Sequence, residues 1–401
     1  MRTTWNFYSA GQLVFGNKAV EQLGTLLQRR KLNRVLIVTD RVLEGVGLID
    51  PVLAALRNAG VVVDVFNGGE AEPSIAAALA AVDQARAFQP DCLLGLGGGS
   101  NMDLAKIAAV IYTHGGAPQD YFGFDNVPGP VVPLVCVPTT AGTGSEVSHA
   151  AVVTDTANQI KVSTLSNYLR PALAIVDPEL TYSCPAKVTA DSGIDALTHA
   201  IEALTATDYN KLALAPGEQC AYEGRYPLGE ILAEKAIELV GEHLAIAVRE
   251  PQNAAAREGM ALAATLAGLA FSNCGVALVH ALEYPIGGVL HCSHGAGNGL
   301  LLPYVMRFNL PERIESFARV AKLLGRDIKG RSIEDAAEDA ILAVDMLKRE
   351  IGIPQRLRDI GAQHEQLPEF AKKAFAIKRL MTINPRQPTE ADLLDVLKTA
   401  Y

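Results

Sequence analysis

Four residues in this chain could do metal chemistry together: Asp195, His199, His280 and His294. Asp195 and His199 stand at i and i+4, so a helix through them aims both side chains the same way. Asp191 and Glu202 fall near the same stripe, a pattern that also suits a solvated polar face. His280 lies in the most apolar stretch, residues 260–290, and reads as closing a buried helix, either as a core histidine or as a ligand. His294 sits in Cys292-Ser293-His294-Gly295-Ala296-Gly297-Asn298-Gly299, which reads as a glycine-rich turn. Singly, each position has an ordinary structural explanation. Jointly, one carboxylate and three imidazoles make a donor set for a divalent metal, and mixed N and O donors admit Fe(II) as well as Zn(II).

A second group of residues suits a nucleotide. Gly95-Leu96-Gly97-Gly98-Gly99-Ser100 follows an apolar run and opens a helical segment over 102–112. Glycines there let backbone N–H groups and a helix N-terminus meet a phosphate, although Ser100 replaces the third Gly of GxGxxG. Pro138-Thr139-Thr140-Ala141-Gly142-Thr143-Gly144-Ser145-Glu146 follows another apolar run and adds hydroxyls. Two such loops at the carboxyl ends of strands point to a nucleotide. Asp40 ends the run at 34–40, where a carboxylate bonds a ribose hydroxyl and disfavours a 2′-phosphate, or simply caps a strand end.

The elements needed to hold these groups are legible as two blocks. Apolar runs at 34–40, 61–66, 92–96, 131–137 and 172–177 suit strands covered on both faces. Amphipathic segments at 48–58 and 75–88 lie between them, which predicts a doubly wound α/β sheet. Beyond residue 188 helix periodicity dominates, at 191–205, 227–248, 254–271, 312–324, 333–351 and 389–400. The expected domains are therefore 1–188, α/β, and 189–401, helical.

Composition excludes several classes. The chain has 401 residues, 49% hydrophobic and 20% charged, with net charge −9, so no basic stripe invites nucleic acid and no Lys/Arg block invites an anionic membrane. Residues 260–290 are too interrupted by polar and Pro residues for a membrane span and read as buried helix followed by loop. The first residues lack a signal-peptide pattern, and six scattered cysteines without a CxxC suit a reducing cytoplasm.

These motifs resemble the iron-containing (group III) alcohol dehydrogenases over nearly the whole chain. The resemblance runs from Phe15-Gly16 through Gly97-Gly98-Gly99-Ser100, the loop at 138–146 and Asp177-Pro178-Glu179-Leu180-Thr181. It is densest in Ser192-Gly193-Ile194-Asp195-Ala196-Leu197-Thr198-His199-Ala200-Ile201-Glu202-Ala203, and continues through residues 280–294 to Leu301-Leu302-Pro303 and Asn384-Pro385-Arg386. It implies a dehydroquinate synthase-like fold, with an N-terminal α/β dinucleotide-binding domain and an all-α C-terminal domain. It makes Asp195, His199, His280 and His294 the ligands of Fe(II), with Zn(II) the alternative, and His280, Tyr284 and His294 the catalytic positions. It puts NAD on Gly98, Gly99, Ser100, Asp103, Thr139, Thr140, Thr143 and Lys161, with Asp40 near the adenine ribose and Leu180 and Val188 also in contact. The implied reaction interconverts a small primary alcohol and its aldehyde; a homodimer is the default expectation for a soluble enzyme, and the charge pattern and cysteines add a cytoplasmic setting with neither nucleic-acid nor membrane partners.

The chain departs from the family at Tyr284, where many members carry His, and at Glu72-Pro73 and Cys184-Pro185. Its His-Ala-Leu-Glu-Tyr-Pro-Ile-Gly-Gly run at 280–288 is similar to 4-hydroxybutyrate dehydrogenases, and Tyr222-Glu223-Gly224-Arg225-Tyr226-Pro227 resembles a segment of hydroxyacid-oxoacid transhydrogenases. Both point to ω-hydroxy acids, for which Arg225 and Lys211 are candidate cations. The alternatives are a transhydrogenase that retains NAD, a metal-dependent cyclase, and a non-catalytic dinucleotide-binding scaffold.

Overall fold

The structure is a computed structural model that describes residues 2–155, 160–214 and 218–401. The chain divides into two compact units, one of residues 8–184 and one of residues 185–401 joined by the segment that ends at Phe7.

The first unit is built on strands β1 (Leu13–Phe15), β2 (Arg34–Val38), β3 (Val62–Phe66), β4 (Cys92–Gly97), β5 (Gly123–Phe124), β6 (Leu134–Pro138), β7 (Ala150–Asp155), β8 (Ile160–Leu165) and β9 (Leu173–Val176). Its helices are α1 (Leu23–Arg29), α2 (Arg41–Gly45), α3 (Asp50–Asn58), α4 (Ile75–Phe88) and α5 (Gly99–His114). Six strands form a sheet in the order β1-β9-β6-β4-β2-β3, and every pairing is parallel. The unbroken apolar runs explain this. Val35, Leu36, Ile37, Val38, Leu93 and Leu94 are wholly buried, because helices cover both faces of the sheet. The chain moves from β2 to β3 on one side and returns to β4 on the other, so a crevice opens at the carboxyl ends of β2 and β4.

The five apolar runs of the sequence correspond to β2, β3, β4, β6 and β9. The short β1 and a three-stranded sheet, β5-β8-β7, carry no such signal. β7 alternates buried and half-buried residues, and β8 mixes Lys and Ser with aliphatics, so neither reads as a doubly covered strand.

The second unit consists of α6 (Ala186–Thr205), α7 (Pro227–Arg249), α8 (Ala254–Cys274), α9 (Leu278–Leu290), α10 (His294–Asn309), α11 (Ile314–Leu323), α12 (Ile333–Glu350), α13 (Leu367–Phe375), α14 (Lys378–Ile383) and α15 (Glu390–Ala400). The stretch read as helix then loop is two helices. α8 and α9 are bent by 103° about Gly275, whose φ of +114° an L side chain rarely adopts. Among the described residues no single helix is long and apolar enough to cross a membrane. The N-terminal segment is tied into this unit: Trp5 stacks on Tyr226 at 4.3 Å between ring centroids, and Arg2 pairs with Glu223.

Candidate metal centre and glycine loop

The stripe Asp195, His199, Glu202 on α6 is buried, each residue less than 5% exposed, so the solvated-face reading of this helix does not hold. Burial of two carboxylates and an imidazole is costly unless each is paired, and the neighbouring helices supply the partners. The bend at Gly275 makes His280 open α9 rather than close α8. Glu202 holds that opening twice. Its Oε1 accepts the Val279 N–H at 2.7 Å, and its Oε2 accepts His280 Nδ1–H at 2.6 Å. A carboxylate at a helix N-terminus also satisfies the helix dipole.

His294 is not in a turn. It is the first residue of α10, and the glycines after it serve packing. A Cβ on Gly295 would lie 2.0 Å from the Asp191 carbonyl oxygen and 3.1 Å from Asp195 Cβ, so only Gly lets α10 approach α6 this closely. His294 Nδ1 donates to Glu283 Oε2 at 2.5 Å.

These two carboxylates fix the tautomers. With Nδ1–H of His280 and His294 committed to Glu202 and Glu283, each Nε2 carries its lone pair toward Asp195. The donor atoms of Asp195, His280 and His294 all lie within 4.8 Å of one another. Two lone pairs and a carboxylate facing one another repel unless a positive centre sits among them, and this is the chemistry of a cation site. Burial alone would raise the Asp195 pKa; positive charge on the imidazoles of His199, His294 and His280 when they are protonated, together with the Asn298 amide, outweighs it and holds the carboxyl below its ordinary value. The fourth expected ligand is beside this group rather than in it. His199 stacks on Phe271 and His280, at 4.1 and 4.8 Å between centroids, and its Nδ1 is 3.9 Å from Asp195 Oδ2. The residues present fit a divalent metal with mixed N and O ligands.

Tyr284, one turn after His280, faces the same group, its ring 6.1 Å from that of His294 and 6.4 Å from that of His280. Surrounding protein atoms desolvate its hydroxyl and lift its pKa well above the ordinary tyrosine range, partly offset by the charge of Arg379. The cations expected to meet a carboxylate substrate are engaged elsewhere. Arg225 Nη2 and Lys211 Nζ lie 2.7 and 3.1 Å from the Asp208 carboxylate, and Arg225 Nη1 donates to Ser316.

In the first unit the expected nucleotide residues gather at the carboxyl edge of the sheet. Gly97 pairs with Pro138 across β4 and β6, and the Thr139 N–H donates to the Gly97 carbonyl at 2.9 Å, so the two loops are neighbours. Gly97 has φ of +140° and leaves no room for a Cβ beside Asn101. Gly98 caps α5, which begins at Gly99, three residues earlier than the sequence suggested. A Cβ on Gly98 would sit 3.7 Å from Thr140, and one on Gly99 would sit 2.8 Å from Thr143. This arrangement of bare backbone, helix N-terminus and hydroxyls can hold a phosphate.

Several expected ligands have structural duties here. Asp40 Oδ1 accepts the Val42 and Leu43 N–H groups and caps α2, while Oδ2 accepts from Asn101. Asp103 accepts the Ser145 hydroxyl and the Val152 N–H. Ser100 Oγ donates to the Ala71 carbonyl, and Lys161 Nζ is 3.0 Å from Glu72. Leu180 is buried in a short turn at 178–181, and Val188 is exposed on the first turn of α6.

One organiser has no signature in the sequence. Lys106 is wholly buried and its Nζ donates to the carbonyls of Ser145, Ser148 and Ala150 and the hydroxyls of Ser145 and Ser148. Burial lowers its pKa, and the nearby Asp103 charge works against that. It clamps the loop after β6 onto α5.

Known proteins are similar to this chain over its whole length. A model of iron-containing alcohol dehydrogenases matches residues 10–178, and one for the C-terminal part of the Fe-containing alcohol dehydrogenase family matches residues 189–401. The chain belongs to the iron-containing alcohol dehydrogenase family. It is 37% identical to the NAD-dependent methanol dehydrogenase of Bacillus methanolicus, covering 98% of this chain and 99% of that one. It is 37% identical to the 1,3-propanediol dehydrogenase of Klebsiella pneumoniae, over 96% of each. A solved 1,3-propanediol oxidoreductase superposes with a TM-score of 0.93 at 36% identity, covering 100% of both chains. As an iron-containing alcohol dehydrogenase it is an alcohol oxidoreductase.

Proposed function

We propose that the protein interconverts short primary alcohols or diols and their aldehydes, using NAD and one iron(II) per chain, with zinc(II) as the alternative metal. The observation that carries this reading is the convergence of Asp195, His280 and His294, with both imidazole tautomers set by buried carboxylates. Asp195, His199, His280 and His294 would hold the metal. When bound, the metal supplies a Lewis acid that makes an alcohol hydroxyl easier to deprotonate, and NAD supplies the hydride acceptor.

The chain's own groups do the rest. Glu202 and Glu283 keep the Nδ1 protons in place, so the Nε2 lone pairs stay available. The backbone around Gly98 and Gly99, with Thr139, Thr140 and Thr143, would receive the pyrophosphate, and Asp40 would repel a 2′-phosphate. Tyr284 packs beside His280 and His294, and burial lifts its hydroxyl pKa, which favours the protonated form.

Substrate size is supported by the relatives, which act on methanol and 1,3-propanediol by name. The ω-hydroxy acid reading rests on the Tyr284 run and the segment at 222–227, whose candidate cations Arg225 and Lys211 both pair with Asp208. Homodimeric assembly in the cytoplasm belongs to the same proposal. The test is a panel of initial rates with NAD and NADP, comparing methanol, propanol, 1,3-propanediol and 4-hydroxybutyrate. The expected result is highest kcat/KM for a neutral alcohol or diol, and at least about tenfold preference for NAD, a difference of about 1.4 kcal/mol. A clear preference for 4-hydroxybutyrate, or turnover with an oxoacid acceptor and no added NAD, would move the protein to a hydroxy acid branch.

A further inference from the structure

Asn298 lies on α10 one turn after His294, on the same helix face, and is wholly buried. Its amide nitrogen is 2.8 Å from Asp195 Oδ1, 3.2 Å from His280 Nε2 and 3.1 Å from His294 Nε2. It therefore touches all three converging donors at hydrogen-bond distance. The orientation of the carboxamide follows from chemistry. Both Nε2 atoms carry lone pairs, because both Nδ1–H groups are given to carboxylates, and Asp195 is an acceptor. Only the NH2 end can face three acceptors. The Oδ1 atom, turned away, is buried without a hydrogen-bond partner.

This is an expensive residue to keep in a core. An unsatisfied buried acceptor costs about 1–3 kcal/mol, and a leucine of similar volume would carry no such cost. The amide is retained for its N–H groups. They put partial positive charge where a carboxylate and two lone pairs would otherwise repel, and so hold three donors from three helices, α6, α9 and α10, in one place.

We propose that Asn298 is a positioning residue that organises Asp195, His280 and His294 for metal capture. It acts through the ligands and touches no reacting atom. The proposal rests on the metal reading above. Without Asn298 the donors spread apart, and ordering them falls on the metal's own binding energy. Loss of groups that orient ligands typically lowers metal affinity by about 10–100-fold.

The test titrates metal-free protein with Co(II) against a competing chelator and records the visible spectrum of the bound ion. Wild type is compared with Asn298→Ala, with Asn298→Leu, which keeps the core volume, and with Asn309→Ala. Asn309 is a buried asparagine on the same helix, paired with Asn384 and away from the donors. The expected result is a 10–100-fold loss of Co(II) affinity in both Asn298 variants, an altered spectrum, and wild-type affinity in Asn309→Ala. Wild-type affinity in either folded Asn298 variant, or an equal loss in Asn309→Ala, would overturn the proposal while leaving the metal reading standing. Failure of wild type itself to bind Co(II) would remove both.

Discussion

Replacing His280 with alanine will strip the protein of its metal and lower turnover by about a thousandfold or more, while the chain remains folded. The substitution removes one of three donors that lie within 4.8 Å of one another. A Lewis acid contributes several kcal/mol to the transition state, which corresponds to roughly that factor in rate. It also removes the proton donor to Glu202 Oε2, leaving a buried carboxylate oxygen unpaired at a cost of about 1–3 kcal/mol. The fold survives because Glu202 Oε1 still accepts the Val279 N–H and anchors the start of α9. Metal content, steady-state rates and the thermal transition of the variant check this. Turnover within tenfold of wild type would show that His280 is a core histidine.

Replacing Lys106 with methionine will destabilise the protein by about 3–5 kcal/mol and weaken use of NAD. The ammonium is wholly buried, with three carbonyls and two hydroxyls as acceptors and the Asp103 carboxylate 3.9 Å away. Removing one partner of a buried charged network costs that much, because the remaining groups stay desolvated and unpaired. Methionine fills the space but donates nothing. The loop carrying Ser145 and Ser148 then loses its attachment to α5, and Thr143, which abuts Gly99, moves with it. Displacing a positioning loop by about 1 Å can cost on the order of a hundredfold in rate, so kcat/KM for NAD should fall by at least about tenfold. Denaturant midpoints and NAD titrations check both parts. Wild-type stability would show that the loop holds itself.

These two residues also show what the sequence makes legible. The i, i+4, i+7 stripe of Asp195, His199 and Glu202 is visible at once, because helix geometry is local. Its burial is not, because a polar stripe looks the same on a solvated face as against other polar helices. His280 reads correctly as buried but is placed at the wrong end of a helix, since Gly275 bends the chain inside an unbroken apolar run. The glycines after His294 look like a turn because sequence patterns favour that use, whereas here the spacing of Gly295 and Gly299 clears a path for the Asp191 backbone and the Ile194 side chain. Glu283, Asn298 and Lys106 acquire their roles only when separate elements meet: Glu283 with the start of α10, Asn298 with α6 and α9, and Lys106 with the loop after β6. The strand runs of the first unit are plain in the sequence, since burial on both faces leaves continuous apolar segments. The antiparallel pair β7 and β8 has no such signature, because β7 alternates buried and half-buried residues and β8 is mixed in composition.

The most direct test of the central claim is metal removal and return on wild-type protein. Chelation should lower NAD-linked alcohol oxidation to about a thousandth of its starting rate or less, and one equivalent of Fe(II) per chain should restore it. The restored activity should follow bound metal linearly, and His280→Ala should not respond. Metal-free protein, verified by elemental analysis, that oxidises alcohol at the full rate would contradict the account.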